Sequence, residues 1–176
     1  MRKISLAVVV LGACLAWSLS PDTPAIGDGG MTAGGGPAGQ TPFAGTFLAV
    51  FGGPLEGVRC IVQIHADGTL WHIDQSDYGL GGALDLDSPQ VGSWRRTGPF
   101  QTTAVTLFFN FDNPSGAPTT VSRATNVADW DVGYNTASGV ATLRLYDLSA
   151  GEDPLDPEQG TPVPFEIPWT MRRLVP

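Results

Sequence analysis

The chain reads as an all-β domain, an antiparallel up-and-down barrel of about eight strands, with a two-sheet β-sandwich as the alternative. Three observations predict it. Gly 23 and Pro 15 together exceed a fifth of the 176 residues, which favours short strands joined by many turns. From Phe43 onward apolar residues recur with period two between turn signals. No segment keeps a helical period for long. Sequential antiparallel strands with hairpin-length links can close on themselves, which removes the sheet edges. Such a barrel holds side chains alone or one small ligand.

The elements follow in order. Gly45 to Phe51 is the first strand. Cys60 to Asp74 is a hairpin around Asp67-Gly68, a pair suited to a two-residue turn. Asp77 to Gln90, with Gly79, Gly81, Gly82 and Pro89, is a long loop. Val91 to Arg96 is a short strand turned by Thr97-Gly98-Pro99. Thr102 to Phe111 is a long strand with Val105, Leu107, Phe109 and Phe111 on one face. Asp112 to Gly116 is a turn, and Thr119 to Val127 alternates again. Tyr134 to Gly139 turns into a strand from Val140 to Asp147. Glu152 to Pro162 is an acidic, proline-rich loop, and Phe165 to Leu174 ends the domain.

Ahead of this domain, residues 1–18 read as a secretory signal: Arg2 and Lys3 precede an apolar stretch from Ile4 to Trp17. The stretch is short for a spanning helix. Cleavage near Ala16-Trp17-Ser18 is one reading. Leu11-Gly12-Ala13-Cys14 resembles a bacterial lipobox, which would leave a lipidated Cys14 at the mature N-terminus. Residues 19–42 form a Gly/Pro-rich tether, and residues 43–176 the barrel. The expected location is therefore secreted, periplasmic or the outer cell envelope.

Composition narrows the function classes. Hydrophobic content of 42% supports a core and argues against general disorder. The formal net charge is −8, and without Arg2 and Lys3 seven arginines stand against 17 carboxylates. Such a surface repels nucleic acid and anionic headgroups, so membrane contact is expected only through a lipid anchor. Cys60 has no intramolecular partner once the leader is removed, so the fold must rest on its core.

The hairpin carries the richest chemistry. With Ala66 opposite Thr69, Ile64 pairs with Trp71 and Val62 with Ile73. Cys60 shares that apolar face, as a buried, inert thiol. Gln63, His65, His72 and Asp74 then share the other face, with Ile61 and Leu70 among them. This polar face is expected in solvent. In a lumen, His65 or His72 beside Asp74 could do acid–base work. Zinc wants three protein ligands, and the chain has two histidines. The acidic pairs Asp85 with Asp87 and Asp129 with Asp131, and the group from Glu152 to Glu158, match no calcium loop and read as solvated turns. No metal or other cofactor is expected. Trp71, Trp94, Phe109 and Trp130 are the candidate ligand-stacking side chains.

Several segments resemble one group of secreted bacterial proteins: Gly45-Thr46-Phe47, then Val62 to Thr69 ending Ala-Asp-Gly-Thr, then Gly92-Ser93-Trp94 followed by Arg96-Thr97-Gly98, then a Phe-rich strand ending Phe111-Asp112. The group is of the calycin and lipocalin type and is functionally uncharacterised. The resemblance spans Phe43 to Leu174. It implies a barrel and a small apolar ligand, and it carries over no catalytic residues. Lipocalins place Gly-x-Trp on the first strand, whereas Gly92-Ser93-Trp94 lies mid-chain here. The expected function is a noncatalytic barrel binding a small apolar or amphipathic molecule. The alternatives are a barrel-type cyclase or isomerase using His72 or His65, and a tethered adhesion or matrix protein. Composition leaves the oligomeric state open.

Overall fold

Ten β-strands form one continuous sheet in the computed structural model, which describes residues 41–75, 77, 86–112 and 115–175. The leader, the tether up to residue 40 and Cys14 lie outside the described residues, as does most of the loop expected between Asp77 and Gln90. The strands are β1 (Gly45–Phe51), β2 (Arg59–Ile64), β3 (Thr69–Asp74), β4 (Leu86–Asp87), β5 (Gln90–Gly98), β6 (Gln101–Phe111), β7 (Pro118–Trp130), β8 (Thr136–Tyr146), β9 (Thr161–Pro162) and β10 (Ile167–Arg173).

Neighbours pair antiparallel from β1 through β2, β3, β5, β6, β7 and β8. β10 then pairs with β8 on one side and β1 on the other, which closes an eight-stranded barrel and excludes the sandwich. The two-residue strands are accessories: β4 lies on β6 and β9 on β8.

Most elements lie where period-two patterning places them. One boundary moves. Thr136 to Gly139, expected in a turn, is strand, and Gly139 sits opposite both Ala128 on β7 and Trp169 on β10. A Cβ at Gly139 would fall 2.1 Å from the Val127 carbonyl oxygen and would also press on the Trp169 ring. Glycine reads as a turn signal in sequence, yet here it lets neighbouring strands approach.

The core is the lumen. Phe47, Ala49, Cys60, Ile64, Ala128, Trp130, Ala137, Ala141, Ile167, Trp169 and Met171 pack inside, with small residues on β7 and β8 leaving room for large rings. One end is closed by Phe43, which meets Tyr134, Trp130 and Trp94 edge-on at centroid distances of 4.8, 5.4 and 5.9 Å. Arg173 fastens this end. Its guanidinium donates to the carbonyls of Pro42 (2.6 Å), Ala44 (2.6 Å) and Tyr134 (2.9 Å) and lies over the Phe47 ring.

Candidate functional site

The site is set by how the β2–β3 hairpin turns. The expected two-residue turn is replaced by a three-residue loop, Ala66 to Gly68. The His65 N–H donates to the Thr69 carbonyl (2.9 Å) and the Gly68 N–H to the His65 carbonyl (3.3 Å). Gly68 takes φ +90°, the positive value a three-residue hairpin needs at its last position. Asp67 stabilises the loop by accepting from the Thr69 N–H (2.9 Å) and hydroxyl (2.7 Å).

One extra loop residue changes the register by one, and a one-residue slip turns every β3 side chain to the opposite face. The observed pairs are Ile64 with Leu70, Val62 with His72 and Cys60 with Asp74. β2 keeps its expected inward face, Cys60 included. β3 is reversed. Trp71, expected opposite Ile64 in the core, is 40% exposed on the outer wall, while His72 and Asp74, expected in solvent, are buried in the lumen. His65 stays at the turn and exposed, so the two histidines do not share a face.

Inside, His72 Nε2 lies 3.8 Å from Asp74 Oδ2, too far for a hydrogen bond. Burial pushes the imidazole down to about 4, against the opposing pull of the Asp74 charge. His72 is therefore neutral at pH 7. The Asp74 N–H donates to Asp77 Oδ2 at 3.0 Å. Burial first, and the Asp74 charge second, push the Asp77 carboxyl up to about 6. Burial, aided by both aspartates, pushes the Cys60 thiol up to about 12, which makes it inert at neutral pH, as expected.

A cavity of about 60 Å³ lies beside this group. Its lining is mostly apolar and aromatic: Phe43, Phe51, Val62, Ile64, Trp94, Trp130, Trp169 and Met171, with His72, Thr102 and Asn126 as polar members. Of the candidate stacking residues, Trp94 and Trp130 line it. Trp71 and Phe109 do not, because both point outward, at 40% and 47% exposure. Trp94 Nε1 donates to the His65 carbonyl (2.9 Å) and Trp130 Nε1 to the Thr102 hydroxyl (3.0 Å). Two buried atoms of lining residues, His72 Nε2 and Trp169 Nε1, have no hydrogen-bond partner among the described residues. Sequence reasoning missed Trp169 as a site residue. Its signal was there, in the inward alternation of Ile167, Trp169 and Met171 on the last strand.

The Gly-x-Trp segment also finds its physical reason. A Cβ on Gly92 would fall 1.9 Å from the Val105 carbonyl oxygen, so β5 and β6 approach as closely as only glycine allows. This strand then delivers Trp94 to the lumen and Arg96 over the Phe43 ring, at 5.8 Å.

Fold and site together define a closed antiparallel β-barrel with an apolar lumen and a buried imidazole in its wall. No family model matches the chain, and neither does any curated protein or solved structure.

Proposed function

We propose that this is a noncatalytic binding barrel, exported or tethered to the envelope, that takes a small, largely apolar or amphipathic molecule into its lumen. The observation that carries this reading is the pairing of an apolar, aromatic lining with two buried polar atoms, His72 Nε2 and Trp169 Nε1, that no described residue satisfies. Binding sites are mostly apolar with a few placed polar groups, and unpaired buried polar groups are costly unless something completes them. A ligand with polar atoms would do so: an oxygen accepts from Trp169 Nε1, and a polar atom engages the neutral imidazole.

The volume limits the ligand. A typical small-molecule pocket spans about 300–1,000 Å³, and this cavity holds about 60 Å³. The ligand is therefore a compact molecule of a few heavy atoms, or a longer one that enters as Phe43 swings out of the mouth. The leader and the resemblance to calycin-type barrels support export and ligand binding in the same direction. Cys60, a protonated thiol, offers no nucleophile beside His72.

The test uses the fluorescence of the lumenal tryptophans. A series of short-chain alcohols and carboxylic acids of increasing length is titrated into the protein. A saturable change with one site per chain, weakened at least about tenfold by His72→Phe, is the expected result. The absence of saturable binding across the series, together with nothing recovered by organic extraction of protein from its native envelope, would overturn the reading. One observation favours a second reading, the barrel isomerase: a neutral imidazole within 3.8 Å of a carboxylate can take up a proton. Chemical conversion of a bound ligand, abolished in His72→Phe, would establish that instead.

A further inference from the structure

The outer wall carries a feature that the lumen does not use. Trp71, displaced outward by the hairpin register, stands opposite Val91, and Val91 stands opposite Leu107. On the other side, Ile73 follows Trp71 on the same face of β3 and stands opposite Ile61, which stands opposite Leu48. Phe109 extends the row along β6. These registers join one apolar band across β1, β2, β3, β5 and β6. Ile61, Trp71, Val91 and Phe109 are each 40–57% exposed. Their exposed parts come to roughly 400 Å², the scale at which apolar patches mark contact sites.

The charge pattern is as informative as the apolar band. The chain has 17 carboxylates. These five strands contain a single one, Asp74, and it points into the lumen. The acidic groups crowd instead into turns and ends, such as Glu56, Asp67 and the 152–158 loop. Arg59 and Arg95 lie exposed on the same five strands.

We propose that this band is a homodimer interface, covered by the same face of a second copy of the chain. Three arguments single out a second copy. For a net-acidic chain, two copies can meet on this apolar face without opposing carboxylates, since its strands point none outward. The area matches: a standard interface buries about 800 Å² per partner, a little over half of it apolar, and this band supplies roughly that apolar share. A two-fold arrangement makes one self-complementary patch sufficient, with Trp71 as central anchor. It also lets Arg59 and Arg95 reach the acidic turns of the other copy. The eight barrel strands each have two neighbours, and only the two-residue strands β4 and β9 leave an edge, which favours association face to face.

Sedimentation equilibrium of the full chain, tether included, tests this from about 1 to about 100 µM. The expected result is a mass rising with concentration to twice that of one chain. Trp71→Glu and Val91→Glu should each weaken the dimer at least about tenfold while leaving the thermal transition in place. Val132→Glu, in the exposed turn after β7, should leave it unchanged. A single-chain mass at every concentration overturns the proposal, as does a dimer indifferent to both wall variants. Cosedimentation of a monomer with phosphatidylglycerol vesicles would assign the band to a lipid surface and equally overturn it. The lumen plays no part here, so failure of the binding reading leaves this test intact.

Discussion

At the scale of single residues, burial has rearranged protons as well as side chains. Unfolded, His72 titrates near 6.5 and Asp77 near 3.8; folded, they sit at about 4 and about 6. Between pH 4 and 6.5 the unfolded chain holds a proton on His72 that the folded chain lacks, so this group makes stability rise with pH. Between pH 3.8 and 6 the folded chain holds a proton on Asp77 that the unfolded chain lacks, so this group makes stability fall with pH. From about pH 4 to 6 the two slopes oppose each other. Removing one partner should expose the other. Asp77→Asn should make stability rise across pH 4 to 6.5, and His72→Phe should make it fall across pH 4 to 6. The His72 limb should approach ~1.4 kcal/mol per pH unit, and the Asp77 limb, partly screened by solvent, should be shallower. Urea melts of both variants over that range provide the check, and parallel flat profiles would contradict the burial of the pair. A second contrast tests the side-chain placement. Phe47 is fully buried, and Phe47→Ala should cost about 3–5 kcal/mol. Trp71→Ala, on the outer wall, should cost far less, about 1 kcal/mol or below. A cost for Trp71 equal to that of Phe47 in denaturant melts would restore the register that a two-residue turn demands.

At the scale of elements, close strand contact at glycine is the main device. Gly139→Ala should destabilise by about 1–3 kcal/mol, because its Cβ meets a carbonyl on one side and the Trp169 ring on the other. Gly57→Ala probes a different cost, since Gly57 has open space around it but a positive φ of +84°. It should lose only about 1 kcal/mol, from backbone strain. Thermal melts of the pair separate crowding from strain, and an equal loss in both would remove the crowding argument. The strands themselves were legible in the sequence, because alternation and turn residues record burial locally. The faces were legible where alternation is one-sided, as in β2. In β3, Leu70, Trp71 and Ile73 are apolar on both faces, so alternation alone does not choose, and the turn decides. Asp67-Gly68 fits a two-residue turn and equally the end of a three-residue loop. The difference depends on Asp67 capping Thr69, and it moved His72, Asp74 and Trp71 together. Arg173 was unreadable for another reason. Its partners are carbonyls at Pro42, Ala44 and Tyr134, and main-chain acceptors leave no mark in a sequence.

At the scale of the whole molecule, the barrel divides into two unlike halves. The end near Phe43 is aromatic and clasped by Arg173. The opposite half carries the polar pairs Gln90 with Thr106 (2.9 Å) and Asn110 with Ser122 (2.9 Å), and Asp74 with Asp77. A chain beginning at Thr41 should keep a cooperative thermal transition, since the sequence from Ser18 to Gln40 offers almost no large apolar side chain to the core. One beginning at Gly45 loses Phe43 and the carbonyls that Arg173 grips, and should melt several degrees lower. Calorimetry of the two distinguishes them, and equal melting temperatures would show that the aromatic end needs no plug.

The clasp has a kinetic meaning as well. Arg173 holds Ala44 from 129 positions away, and β1 finds its second neighbour only in β10. Until that last strand is available, β1 and β8 are open edges, able to pair with any other extended chain. The ring therefore cannot be finished piecemeal as the polypeptide emerges. It must wait for nearly the whole chain, and such non-local closure places folding in the slow range of roughly milliseconds to seconds. Under the proposed export, that delay suits passage across a membrane in an unfolded state, with the circle completed on the far side.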